Sequence, residues 1–245
     1  MNLLEYPKDK AVIDNVVSCA ELASLMIPSP REAYVEEVCG QAKEFGFAGV
    51  LATPFDSPTV LKLLNGSKIE TICIISLNHA LDENFDCRML TMKEMIKLGV
   101  RNYEVSVPYT MFKDEKDSVV EQYITDTKAL VDSVDGKLSV IIEPEEMNKA
   151  IQLRVVKIAE RVGVDYIRLG SGMEKVCGTN GGRATINTLC FLSENIKKTS
   201  LKAGGGWDYA YLEDCAEYIQ CGASRVDVGP RFVEQLREIG YGRGE

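Results

Sequence analysis

Histidine is nearly absent from this chain: His79 is the single one among 245 residues. The eight cysteines, at 19, 39, 73, 87, 177, 190, 215 and 221, contain no C-x-x-C pair, so a zinc site has no obvious ligand set. Their spread over apolar faces suits buried thiols in a reducing compartment. Long apolar runs are missing too. No stretch reaches the ~18 residues of a membrane span, and the N-terminus lacks the apolar run of a secretion signal, so the expectation is a cytoplasmic protein with no membrane partner. Positive charge is short, with 28 Lys and Arg against 37 Asp and Glu and a net charge of −9, which speaks against sequence-independent nucleic-acid binding. An acidic whole still leaves room for a basic pocket and an anionic small molecule. No linker or low-complexity segment interrupts residues 1–245, so a single domain is expected.

Apolar runs and amphipathic stretches alternate along the chain. After a helix over about Asp9–Ala20, strands are predicted at Glu21–Ile27, Phe47–Thr53, Glu70–Leu77, Asn102–Pro108, Leu138–Glu143, Val164–Gly172, Ser200–Gly206 and Ser224–Gly229. Helices are predicted between them: from Ser29-Pro30 to about Glu44, then Ser57–Asn65, Asp86–Leu98, Asp114–Val134, Met147–Val162, Ala184–Ile196 and Asp208–Gln220, with Pro230–Glu238 closing the series. In the long fifth helix, Val119, Val120, Tyr123, Ile124 and Leu130 are expected on one side. Eight strand-helix units in a chain near the ~250 residues typical of such folds predict an α/β (β/α)8 TIM barrel with an extra N-terminal helix.

Ligands bind such barrels at the C-terminal strand ends. The polar residues expected there are Glu104, Ser106, Glu143, Arg168, Lys202 and Asp227. Any one of them has a structural explanation in an internal ion pair. Lys202 is the exception, because lysine is rare in a buried strand unless its amine has a task or a partner. The glycine turns Gly170-Ser171-Gly172, Gly181-Gly182 and Gly204-Gly205-Gly206 are either tight turns or backbone cradles for an anion.

The order V-D-Y-I-R-L-G-S-G, G-G-R-A-T, S-L-K-A-G-G-G and G-A-S-R-V-D-V-G resembles the deoxyribose-phosphate aldolase family, which typically reads G-A-D-F-V-K-T-S-T-G, G-G-A-T, V-K-A-S-G-G and G-A-D-R-I-G-T-S. The resemblance extends upstream to A-K-E-F-G-F-A-G-V at 42–50 and covers most of the chain. It implies a barrel with an extra N-terminal helix, a dimer, and metal-free, cofactor-free aldol cleavage through a lysine Schiff base, assisted by a second lysine and an aspartate. Lys202 matches the assisting lysine and Glu104 the aspartate. Arg168 stands where the Schiff-base lysine is expected, and a guanidinium cannot serve as that nucleophile. Asp227-Val228-Gly229 replaces G-T-S, and that aspartate would repel a phosphate.

Two readings follow. In the first, Lys202 is the reactive amine, its pKa lowered by Arg168, with Glu104 moving protons; the turns at 170–172 and 204–206, with Glu143, Asp227 and Gly229, hold a sugar or aldehyde, phosphorylated or not. In the second, the barrel has lost aldolase chemistry and binds a ligand or catalyses a different reaction, and the charges simply pair. A direct Arg168–Asp227 ion pair would count against a phosphorylated ligand. Lys175, Cys177 and His79 are expected as loop residues, Trp207 follows a glycine turn, and Tyr241 belongs to a frayed tail.

Overall fold

The computed structural model describes residues 9–23, 31–77, 84–172, 182–204 and 211–242. Eight parallel strands close into a barrel in chain order: β1 (Ala20–Ala23), β2 (Gly49–Ala52), β3 (Glu70–Ile75), β4 (Asn102–Ser106), β5 (Leu138–Ile142), β6 (Tyr166–Leu169), β7 (Ser200–Gly204) and β8 (Ala223–Val228), with β8 pairing back onto β1. The described helices are α1 (Lys10–Cys19), which precedes the barrel, then α2 (Arg31–Phe45), α3 (Ser57–Leu63), α4 (Phe85–Lys97), α5 (Tyr109–Lys113), α6 (Asp117–Asp132), α7 (Lys149–Val162), α8 (Ile186–Ser193), α9 (Leu212–Gln220) and α10 (Pro230–Glu238). The (β/α)8 barrel and its extra N-terminal helix are as expected. The segment of the first predicted strand beyond Ala23 lies outside the described residues, as do Ser29 and Pro30.

Strand side chains alternate between two environments. Leu22, Val50, Val105, Val140, Ile167, Leu201 and Val226 point outward into the main core shared with the helices. The residues between them point into the barrel, where Leu51, Ile72, Ile74 and Ile141 form a separate apolar cluster. This parity decides the site: Glu104, Arg168, Lys202 and Asp227 all occupy inward positions and are buried.

Helix starts follow local chemistry. Asp9, Asn84, Asn148 and Thr185 each accept a hydrogen bond from a first-turn backbone N–H, satisfying a donor the helix leaves open. The predicted helix Asp114–Val134 needs correction. Glu115 adopts φ +57°, and the Lys116 N–H reaches back to the Met111 carbonyl at 2.9 Å, so the chain ends α5 and restarts as α6. Val119 falls off the buried face of α6 and is exposed, whereas Val120, Tyr123, Ile124, Thr127 and Val131 form the packed stripe.

Candidate active site

Five ionisable side chains from five strands meet inside the barrel. Lys202 of β7 donates to both oxygens of Glu21 of β1, each at 2.9 Å, and to Glu104 Oε1 of β4 at 2.9 Å. Its Nζ also lies 4.6 Å from the centre of the Tyr166 ring of β6, a cation-π contact. Arg168 of β6 donates through Nη1 to Glu104 Oε2 at 2.7 Å. Its Nε stands 2.5 Å from Asp227 Oδ2 of β8, but off the N–H axis, so this is an ion contact and not an aligned hydrogen bond. Glu104 therefore bridges the two cations, one with each oxygen. The sheet register accounts for the meeting, since Arg168 pairs with Lys202, and Glu21 with Asp227, on adjacent strands. Gly49, beside Glu21, leaves space there: a Cβ would lie 2.8 Å from Ile72 Cδ1 and 3.6 Å from Glu21 Cγ.

Three carboxylates against two cations leave one excess negative charge in a dry interior, which is costly. The proton affinities of the three carboxyls follow from it. Burial pushes the Asp227 carboxyl well above the ordinary range, although Arg168 pulls the other way. Burial raises Glu21 as well, against the pull of Lys202. Glu104 is opposite: burial acts to raise it, but Lys202 and Arg168 together hold it below the usual carboxylate value. The expectation that Arg168 lowers the Lys202 pKa is reversed. Burial does favour the neutral amine, but Glu104, Glu21 and Asp227 outweigh it and hold Lys202 protonated. Glu21, Glu104 and Asp227 also offer oxygens within 4.8 Å of one another, a set of the kind a hard cation takes. The ammonium and guanidinium contact those same carboxylates and already bring the charge such an ion would supply.

Of the two tasks open to the glycine turns, the described turn at Gly170–Gly172 performs the tight-turn one. The Gly170 N–H goes to the Ile142 carbonyl at 2.9 Å, Ser171 N–H to Glu143 Oε1 at 3.0 Å, and Gly172 N–H to the Gly182 carbonyl at 2.7 Å. All three donors of the turn are engaged within the protein, so it is not an open anion cradle. Gly204 is needed for close approach of backbones: a Cβ there would lie 2.3 Å from the Gly170 carbonyl oxygen. Its own carbonyl accepts from Ala184 N–H at 2.8 Å. Gly229 has extended backbone and sits directly before α10. Gly181, Gly205, Gly206, Trp207, Lys175, Cys177 and His79 lie outside the described residues. Tyr241 is not frayed: its hydroxyl donates to Asp14 at 2.9 Å and its ring stacks on Phe45.

Glu21 and Tyr166 are the site residues that sequence reasoning missed. The available signal for Glu21 was a lone acid inside the apolar stretch A-E-L-A, on a strand whose neighbours in the barrel are β2 and β8.

No family model matches the chain. Among curated proteins it is 25% identical over 206 residues to the deoxyribose-phosphate aldolase of Clostridium perfringens (strain 13 / Type A), covering 83% of this chain and 87% of that one. With the deoxyribose-phosphate aldolase of Coccidioides immitis (strain RS) it shares 24% identity over 242 residues, 96% of this chain and 85% of the other. Among solved structures, a Coccidioides immitis protein described as a deoxyribose-phosphate aldolase superposes with a TM-score of 0.77 at 23% identity, over 96% of this chain and 90% of that one. The deoxyribose phosphate aldolase of Aeropyrum pernix, described as a tetramer, gives 0.78 at 18% identity, over 92% and 91%. The chain is thus similar, at about a quarter identity over most of its length, to proteins named deoxyribose-phosphate aldolase, and its closed barrel is the fold of the solved structures that bear that name.

Proposed function

We propose that the protein is an aldolase-like carbon-carbon lyase acting on a small carbonyl compound, with Lys202 as its reactive amine. The observation that carries this is the setting of the Lys202 Nζ between Glu21 and Glu104, each at 2.9 Å, inside the barrel. At rest the amine is protonated, so its activation has to coincide with substrate arrival. Glu21 is the natural acceptor, because burial has already raised its proton affinity and both its oxygens face Nζ. Passing the proton to Glu21 leaves a neutral amine and a neutral acid, which a dry interior favours over a separated charge. The free amine adds to the carbonyl carbon, and the carbonyl oxygen takes a proton. Loss of water then forms the Schiff base, into which electrons from the breaking carbon-carbon bond can flow. Glu104, fixed through its second oxygen by Arg168, stands by Nζ to move protons in these steps.

The second reading rests on the Arg168–Asp227 contact. With Lys202 bound by two carboxylates and Arg168 by two, the five groups serve equally as a plug that orients the strands, and the barrel binds without cleaving. Both readings take the chain as one domain, placed in the cytoplasm and paired as a dimer.

Borohydride trapping separates them. The protein and a Lys202→Met variant are incubated with 2-deoxyribose 5-phosphate, 2-deoxyribose, acetaldehyde and small ketones, reduced, and mapped by peptide mass. An adduct on Lys202 that the variant lacks is the expected result. Absence of any adduct across this panel removes the Schiff-base reading and favours the plug.

A further inference from the structure

Asp227 is 5% exposed and Ser106 2% exposed, yet neither Asp227 carboxylate oxygen nor Ser106 Oγ has a hydrogen-bond partner among the described residues. Buried polar atoms are ordinarily hydrogen-bonded, and those left without a partner are candidates to meet a ligand. Their placement is informative. Asp227 pairs in register with Gly204, two residues beyond Lys202 toward the C-terminal strand ends, and Ser106 lies two residues beyond Glu104 on the same inward face. Both therefore stand on the mouth side of the amine and its bridging acid, where a substrate enters.

We infer that Asp227, with Ser106, recognises hydrogen-bond donors on an unphosphorylated substrate, a hydroxyl or an ammonium, and rejects a phosphate ester. This deepens the aldolase reading and rests on it. Three features agree. Three carboxyl groups crowd around the two cations and are paired with them, so an anionic ligand finds no uncommitted cation in this cluster. The guanidinium nearest Asp227, that of Arg168, is already committed to Glu104 and Asp227. The Gly170–Gly172 turn, a ready place for backbone N–H groups to meet an anion, has spent all three. A hydroxyl or ammonium donates to Asp227 directly, and Ser106 Oγ can accept from or donate to a neighbouring hydroxyl.

The test uses ligands without a carbonyl, so that it reads recognition separately from Schiff-base chemistry. Calorimetric titration of the full chain with 2-deoxyribitol, its 5-amino-5-deoxy analogue and its 5-phosphate is compared with titration of Asp227→Asn and Asp227→Ser. The wild type should bind the amine and the alcohol and bind the phosphate roughly ten- to a hundredfold more weakly. Both variants should lose most of the preference for the amine, and Asp227→Ser should narrow the penalty on the phosphate. A wild type that binds the phosphate as tightly as the alcohol overturns the inference. So does an unchanged preference in both variants, or no saturable binding of any of the three. Lysine trapping on Lys202 reports on the aldolase reading independently, so the two can fail separately.

Discussion

Asp227 and Glu21 carry the consequences of the excess buried charge. Asp227 has a folded-state pKa raised by burial, so the folded protein keeps a proton that the unfolded chain releases. The stability linked to that proton is complete below the unfolded value of about 3.9 and is lost as the pH rises through the folded value. Replacing Asp227 by the isosteric asparagine removes the loss. In urea titrations from pH 4 to 8, Asp227→Asn should match the wild type in acid and gain on it as the pH increases; parallel curves would mean Asp227 titrates normally. At Glu21 the expectation is kinetic. Glu21→Gln keeps the shape but removes the proton acceptor, so kcat should fall by on the order of 10²- to 10⁴-fold with little change in KM. An unchanged kcat would take the acceptor role from Glu21. Arg168 and Lys202 were legible in the sequence because long cations are conspicuous in apolar strands. Their partners were less so. Glu21 and Lys202 are 181 residues apart, and only barrel closure, which sets β1 beside β8, brings them together.

At the scale of elements, the junction between β6 and β7 is where backbone chemistry is least forgiving. A Cβ at Gly204 would lie 2.3 Å from one carbonyl oxygen and 2.8 Å from another, both main-chain atoms that cannot rotate away. Gly204→Ala should therefore destabilise by at least about 3 kcal/mol, the upper end of ordinary overpacking. Gly40, exposed on α2 with no atom within 4 Å of its would-be Cβ, is the matched control. Gly40→Ala should stabilise by about 0.5–1 kcal/mol through helix propensity alone. Equal thermal midpoints for the two variants would refute the packing argument. The sequence signalled a turn at these glycines but left two explanations open, a cradle or a close contact, because both need the same residue type. The break between α5 and α6 was similarly hidden. Glu115 has no intrinsic need for positive φ, and only packing imposes it there.

For the whole molecule, the count and alternation of strands were enough to read the closed barrel, since buried parallel strands and amphipathic helices have distinct periods. Strand ends were read a few residues too long, as with Asn102–Pro108 against the observed Asn102–Ser106, because apolar character persists into the loops. The division of the barrel lining has a further consequence. Leu51, Ile72 and Ile74 make the wall of β2 and β3 greasy, whereas β6, β7 and β8 line theirs with Arg168, Lys202 and Asp227. A carbonyl compound lodged between two walls so unlike each other turns its hydrocarbon skeleton toward the greasy wall and its oxygens toward the charged one. On the proposed function Lys202 then meets a single face of the carbonyl, and run in the synthetic direction the barrel should join carbons with a single handedness, measurable as enantiomeric excess in the aldol product.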